Sequence, residues 1–335
     1  MQRVMFAAVA VLAALDIAPA IAQTLTPPPN GYPTLGRIVR EHPKLDELIA
    51  RDARIEVLAM GLEFSEGPVW DRKNNWLLLS DIPRNAVMKW THERGLELFM
   101  KPSGYTGVLP GRGGSNGLLI DGQGRLVLCE GGDRRLSRVD TDGSKVTLAD
   151  RYDGKRFNQP NDVTMKSNGD LYFTDPLVLG GDPHRELDFS GVYRWSASTG
   201  QVTLLTKDMS RPNGIAFSPD EKTLYVSNSD AQRRLWMAFP VNADGTIGKG
   251  RVFAELAPTA TPGWGPDGFK VDRAGNLWAG ANNTGVLIYA PDGTRLGRIE
   301  TGERMANVAF GDDGSVLYIT ADMYLLRVKT LTRGW

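Results

Sequence analysis

Sulfur and imidazole are scarce in this 335-residue chain, which has 1 cysteine and 3 histidines. A single thiol, Cys129, excludes an internal disulfide framework and any zinc or iron–sulfur site built on several cysteines. Charge excess is missing too, because 39 Lys and Arg stand against 39 Asp and Glu. Without a basic surplus there is no electrostatic footprint for nucleic acid. Sustained helical periodicity is also lacking beyond Arg51, which excludes a helical bundle. What the chain does have is 38 glycines and 20 prolines, a composition suited to many tight turns. It also has 8 Trp, 9 Tyr and 11 Phe, which need burying and so exclude a disordered chain.

The first 22 residues differ from the rest. Arg3 precedes an apolar run from Val4 to Leu15, and Ala20-Ile21-Ala22 supplies a small-x-small cleavage site. That order predicts a secretory signal peptide over 1–22, and hence a periplasmic or secreted protein. The run is too short to span a bilayer, and Asp16 interrupts it. Residues 23–52 read as a Pro-rich linker followed by one short helix, because Leu45, Leu48 and Ile49 fall at helical spacing within Lys44–Arg51.

From residue 53 to 335 one grammar recurs: a polar residue beside Gly or Pro, a short apolar strand, a turn and a second strand. The polar openers are Glu66, Asn116, Asn161, Asn213, Asp267 and Asn307, at intervals of 40 to 54 residues. That period, with about four strands per unit, predicts an all-β chain folded as a six-bladed β-propeller with a central channel. Asp121-Gly122, Asp142-Gly143, Asn168-Gly169, Asp244-Gly245, Asp292-Gly293 and Asp313-Gly314 predict type I′ hairpin turns. The last strand, Tyr324–Lys329, has no successor, and Arg54–Ala59 alternates as a strand that could complete the final blade.

Repeat symmetry would aim the six openers at the channel. They are two carboxylates and four amides. Converging oxygen donors without sulfur or imidazole suit a hard cation, calcium first and magnesium or manganese next, with zinc a further candidate.

The chain resembles the SMP-30/gluconolactonase/luciferin-regenerating-enzyme propellers, which also look like diisopropyl-fluorophosphatase. The matching stretches include Glu66-Gly67-Pro68-Val69-Trp70, Cys129-Glu130-Gly131-Gly132, Phe157-Asn158-Gln159-Pro160-Asn161-Asp162-Val163, Tyr172-Phe173-Thr174-Asp175-Pro176, Pro212-Asn213-Gly214 and Pro266-Asp267-Gly268. The resemblance implies that Glu66, Asn161, Asn213 and Asp267 hold one divalent metal. It also implies that Asp267 transfers a proton while a lactone, a sugar lactone above all, is hydrolysed. Asn116, Glu130 and Asn161 are the expected substrate contacts. Two places depart from the family: Gln159 stands where animal-type members have Arg, and Gly131 where the bacterial branch often has His.

Other readings compete. Gly113-Gly114-Ser115-Asn116-Gly117 matches the serine-hydrolase elbow, but that motif needs a strand before it and a helix after it. Here a Gly-rich loop precedes and a strand follows. Cys129 reads as a buried structural thiol, His184 as a loop residue at the channel mouth, and Trp264 as pocket wall or lid packing. A phosphotriesterase-like esterase would use the same metal, and a non-enzymatic propeller would hold calcium for structure alone.

Overall fold

The computed structural model describes residues 23–24, 31–108, 113–258 and 265–334. The expected leader and Trp264 lie outside them. Among the described residues six antiparallel sheets of four or five strands follow one another along the chain, each blade entered by its innermost strand, and together they form a six-bladed β-propeller. The inner strands of blades 1 to 6 are Ser65–Asp71, Ser115–Ile120, Val163–Met165, Pro212–Phe217, Phe269–Val271 and Met305–Gly311.

A blade is covered on both faces by its neighbours, so its second strand is buried on both sides. Trp76–Asp81, Leu126–Glu130 and Val316–Ala321 accordingly read as nearly unbroken apolar runs rather than alternating ones. The core is divided among the interfaces between blades. Trp278, Ile288, Val308 and Leu317 meet between blades 5 and 6, and Leu77, Trp90, Ala309 and Tyr318 between blades 6 and 1. Tyr318 stacks on Trp70 with ring centroids 5.3 Å apart. Each such large side chain contributes about 1.5–3 kcal/mol on burial.

The ring is closed by the N-terminal side of the chain. Glu56–Met60 is the outer strand of blade 6 and pairs with Tyr324–Lys329, Leu325 opposite Ala59 and Arg327 opposite Glu56. An ion pair between Arg327 and Glu56 at 2.6 Å spans the same junction. Arg37–Arg40 adds a fifth strand to blade 5, so a single N-terminal stretch ties the last two blades together.

Two local details differ from the sequence reading. The segment expected to be helical begins as a 3-10 turn, Pro43–Glu47. Its continuation is stopped from both sides: the Arg40 guanidinium donates to Ile49 O and Ala50 O, and Leu331 N–H donates to Leu48 O. Leu45 and Ile49 are still fully buried. In five of the six expected hairpin turns only the glycine of the Asp-Gly or Asn-Gly pair is left-handed, and at Asp121-Gly122 neither residue is, Gly124 taking that conformation instead. Gly143, Gly169, Gly245, Gly293 and Gly314 have φ between +81° and +95°, and the residue before each does not. The Asp side chains instead accept backbone N–H groups two residues on, as from Ser144 to Asp142 and from Thr246 to Asp244. That is a type I turn followed by a left-handed glycine. Among the described residues no helix is long and apolar enough to cross a membrane.

Candidate active site at the channel

The inner strands bring the polar openers to the propeller axis, and three devices hold them there. The first is the glycine that follows four of the six. A Cβ at Gly67 would lie 2.0 Å from Asn116 O, and one at Gly268 would lie 2.0 Å from the Asn307 amide. Only glycine lets neighbouring blades approach this closely. The second is a β-bulge, between Glu66 and Val69 in blade 1 and between Pro212 and Ile215 in blade 4. The third is a hydroxyl from the second strand of one blade to the opener's carbonyl in the next. Ser80 Oγ donates to Asn116 O at 2.8 Å, Thr174 Oγ1 to Asn213 O at 2.5 Å, and Ser227 Oγ to Asp267 O at 2.9 Å.

Glu66 is 3% exposed, Asp267 8% and Asn307 2%. Glu66 Oε2 accepts from Gly67 N–H at 2.6 Å and from Asn307 Nδ2 at 3.0 Å, and no described residue donates to Oε1. The Asn307 amide is oriented by its own backbone, because Oδ1 accepts the Val308 N–H at 2.8 Å. Asn307 is therefore a donor to the Glu66 carboxylate, not the oxygen ligand that repeat symmetry suggested. Asp267 Oδ2 accepts from Asn282 Nδ2 at 3.0 Å.

Burial, followed by the nearby Asp267 charge, pushes the Glu66 carboxyl well above the usual carboxylate range. Burial raises Asp267 to about 6, against hydrogen bonds from Asn282 and Asn213 and the charges of Arg211 and Arg304. Two acids that hinder each other's ionisation in one buried space suit either a cation or a proton-transfer role.

Two participants were missing from the sequence reading. Asp162 is 2% exposed and follows the opener Asn161, where four other blades have glycine. That exception was its signal. Its Oδ1 accepts from Val163 N–H at 2.9 Å, while Oδ2 is buried with no hydrogen-bond donor among the described residues. Asn282, which holds Asp267, lies after the second strand of blade 5, and the opener pattern does not reach it.

Among the described residues the buried Asn116 Oδ1 also lacks a donor. Orphaned acceptor oxygens beside two crowded carboxylates fit a hard cation by chemistry. Among the described residues no three His, Cys, Asp or Glu side chains converge as a metal-binding group. A cation here would therefore depend on the asparagine oxygens as well.

Above the ring opens a cavity of about 410 Å³, lined by Asn116, Asn161, Gln159, Gly131, Asp182 and His184 among others. At Gly131 a Cβ would meet nothing nearer than 3.7 Å, so this wall is open. Glu130 does not reach the cavity. It is fully buried, and its carboxylate is taken by Arg135 at 2.6 Å, Lys145 at 2.9 Å and Ser137 at 2.5 Å. The expected substrate contact is a buried ion-pair centre of blade 2. Ser115 of the elbow-like motif is fully buried, shares a 2.8 Å hydrogen bond with Ser80 and opens a strand. It is no nucleophile. Cys129 is buried as expected.

Comparison with known proteins fits this architecture. Residues 64–322 match the family model described as SMP-30/Gluconolactonase/LRE-like region. A gluconolactonase of Zymomonas mobilis subsp. mobilis is 38% identical over 317 residues, 90% of this chain and 88% of that protein. A pentonolactonase of Haloferax volcanii is 29% identical over 269 residues, 79% of this chain and 83% of its own. Among solved structures, a gluconolactonase from Xanthomonas campestris superposes with a TM-score of 0.78 at 32% identity. That match covers 89% of this chain and 97% of the other.

Proposed function

Because the chain belongs to the SMP-30/gluconolactonase/LRE-like family and is a lactone-hydrolysing enzyme, we propose that it opens a sugar lactone at a divalent cation, calcium first, held by Glu66, Asn161, Asn213 and Asp267. The observation that carries this reading is the pairing of two buried carboxylates, Glu66 and Asp267, with amide oxygens on the channel axis. When bound, the cation would polarise the lactone carbonyl and stabilise the oxyanion that forms on it.

The side chains supply the rest. Asn116 and Asn161 line the cavity from the ring upward and would orient the lactone hydroxyls. Burial raises Asp267 to about 6 in the metal-free protein and a bound cation would lower it again, so its carboxylate stands ionised near neutral pH and can accept a proton. It would take a proton from the water that adds to the carbonyl carbon. As the ring C–O bond breaks, the same proton would pass to the leaving ring oxygen, giving the open hydroxy acid. Asn282 fixes the Asp267 carboxylate for both transfers. Export after cleavage at Ala22 is part of this proposal, and an N-terminal mass beginning at Gln23 in protein secreted by a bacterial host tests it.

The experiment is hydrolysis of glucono-1,5-lactone by purified protein, before and after chelation and with calcium restored. Activity that falls on chelation and returns with calcium supports the reading. Full activity in excess chelator overturns the metal, and hydrolysis of organophosphates without lactones overturns the substrate class.

A further inference from the structure

Two arginines flank Asp267, one on each neighbouring blade. Arg211 immediately precedes the inner strand of blade 4, and Arg304 that of blade 6, with Asp267 in blade 5 between them. The backbone fixes both places. Arg211 N–H donates to Asn228 Oδ1 at 2.8 Å, and its carbonyl accepts from Ser229, whose Cα would lie 2.7 Å from a Cβ at Gly265. On the other side Asn282 donates to Gly265 O and Asp267 Oδ2 and bridges to Met305, the neighbour of Arg304.

Neither guanidinium has an ion-pair partner within 4.0 Å among the described residues. The Arg304 guanidinium lies over the Phe64 ring, 4.7 Å from its centroid, and its buried Nε has no hydrogen-bond partner among the described residues. Arg211 Nη1 reaches only Leu177 O, at 3.5 Å, which is too long for a firm bond. Asp230, the other acid near Arg211, accepts the Gln232 N–H at 2.9 Å. Arg211 also lines a recess that shares Val178 with the mouth cavity.

Asp267 and Asp230 are the acids whose charge reaches Arg211, yet among the described residues neither closes an ion pair with it within 4.0 Å. Positive charge held partly out of water without an anion in direct contact is costly unless a ligand supplies one.

We propose that the lactone opened here carries an anionic substituent, a carboxylate, phosphate ester or sulfonate, and that Arg211 and Arg304 bind it beside Asp267. The proposal rests on the lactonase reading and adds its substrate class. Arginine suits the role because its planar fork matches such anions and cannot lose its charge.

The test compares two lactones of the same ring, glucono-1,5-lactone and its 6-phosphate, on wild type and on Arg211→Met and Arg304→Met, with folding checked by circular dichroism. Wild type should favour the anionic lactone at least tenfold in kcat/KM. Each variant should lose about 10- to 100-fold more on the anionic lactone than on the neutral one, chiefly in KM. Arg304→Lys should recover part of that loss. Equal losses on both lactones would overturn the proposal, because the arginines would then act only through Asp267 or the lactone ring.

Should wild type open neither lactone, the lactonase reading fails separately, and calorimetric binding of glucarate against gluconate still decides the arginines' role. Preference for the dianion that Arg304→Met abolishes supports them as anion binders. Equal binding of the two acids refutes it.

Discussion

Replacing Asp267 by Asn keeps the shape of the side chain and removes its charge and its ability to accept a proton. Asp267 Oδ2 accepts from Asn282 Nδ2 at 3.0 Å, so the new amide has two choices. With its nitrogen toward Asn282, two donors face each other, at a cost of about 1–3 kcal/mol. With its oxygen there, the nitrogen faces the ring where an oxygen ligand is needed. Both arrangements weaken cation binding, and excess calcium offsets that part. Loss of the base is not offset, and turnover should remain about a hundredfold to ten-thousandfold below wild type.

Glu66→Gln is the comparison. Its amide oxygen can keep the bonds from Gly67 N–H and Asn307 Nδ2 that Glu66 Oε2 accepts, at 2.6 and 3.0 Å. Its nitrogen then replaces the other oxygen, so the defect is one of affinity, and the rate should recover as calcium rises. The assay is proton release from glucono-1,5-lactone across a calcium series. Wild-type turnover by Asp267→Asn at saturating calcium would refute the base assignment. Glu66→Gln that stays inactive at every calcium concentration would refute the division of roles.

Gly268→Ala should lower both calcium affinity and Tm, because its Cβ would fall 2.0 Å from the Asn307 amide that holds Glu66. Gly122→Ala, which meets nothing within 4 Å at an ordinary φ, should be neutral or stabilise by about 0.4–1 kcal/mol in urea unfolding. Burial holds Asp267 at about 6 and Asp175 at about 7, above the ordinary aspartate value of about 4, so the folded state binds more protons than the unfolded one in that window. The metal-free protein should lose stability as pH rises from about 4 to 7, and a Tm that climbs over this range in chelator would contradict the burial argument.

The propeller was legible because it is a repeat, and six openers at similar spacing specify six inner strands even where each motif is weak. Closure by Glu56–Met60 was legible as well, since an alternating strand before the first repeat had only the last blade to join. Side-chain direction was not. Asn307 shares the opener position with Asn213, yet the Val308 N–H turns its amide so that it donates to Glu66. Glu130 lay beside a family motif, but strand pairing places Arg135 opposite it in the register. Asn282 and the two arginines sit in segments between strands, where no period marks them. They reach the site because neighbouring blades converge at the channel mouth.

Calorimetric titration of calcium into chelator-stripped protein measures whether the channel holds a cation. One calcium should bind per chain, more weakly in Asn213→Ala and Asn161→Ala while circular dichroism stays that of the wild type. Failure to bind calcium, magnesium, manganese or zinc stoichiometrically would contradict the metal reading.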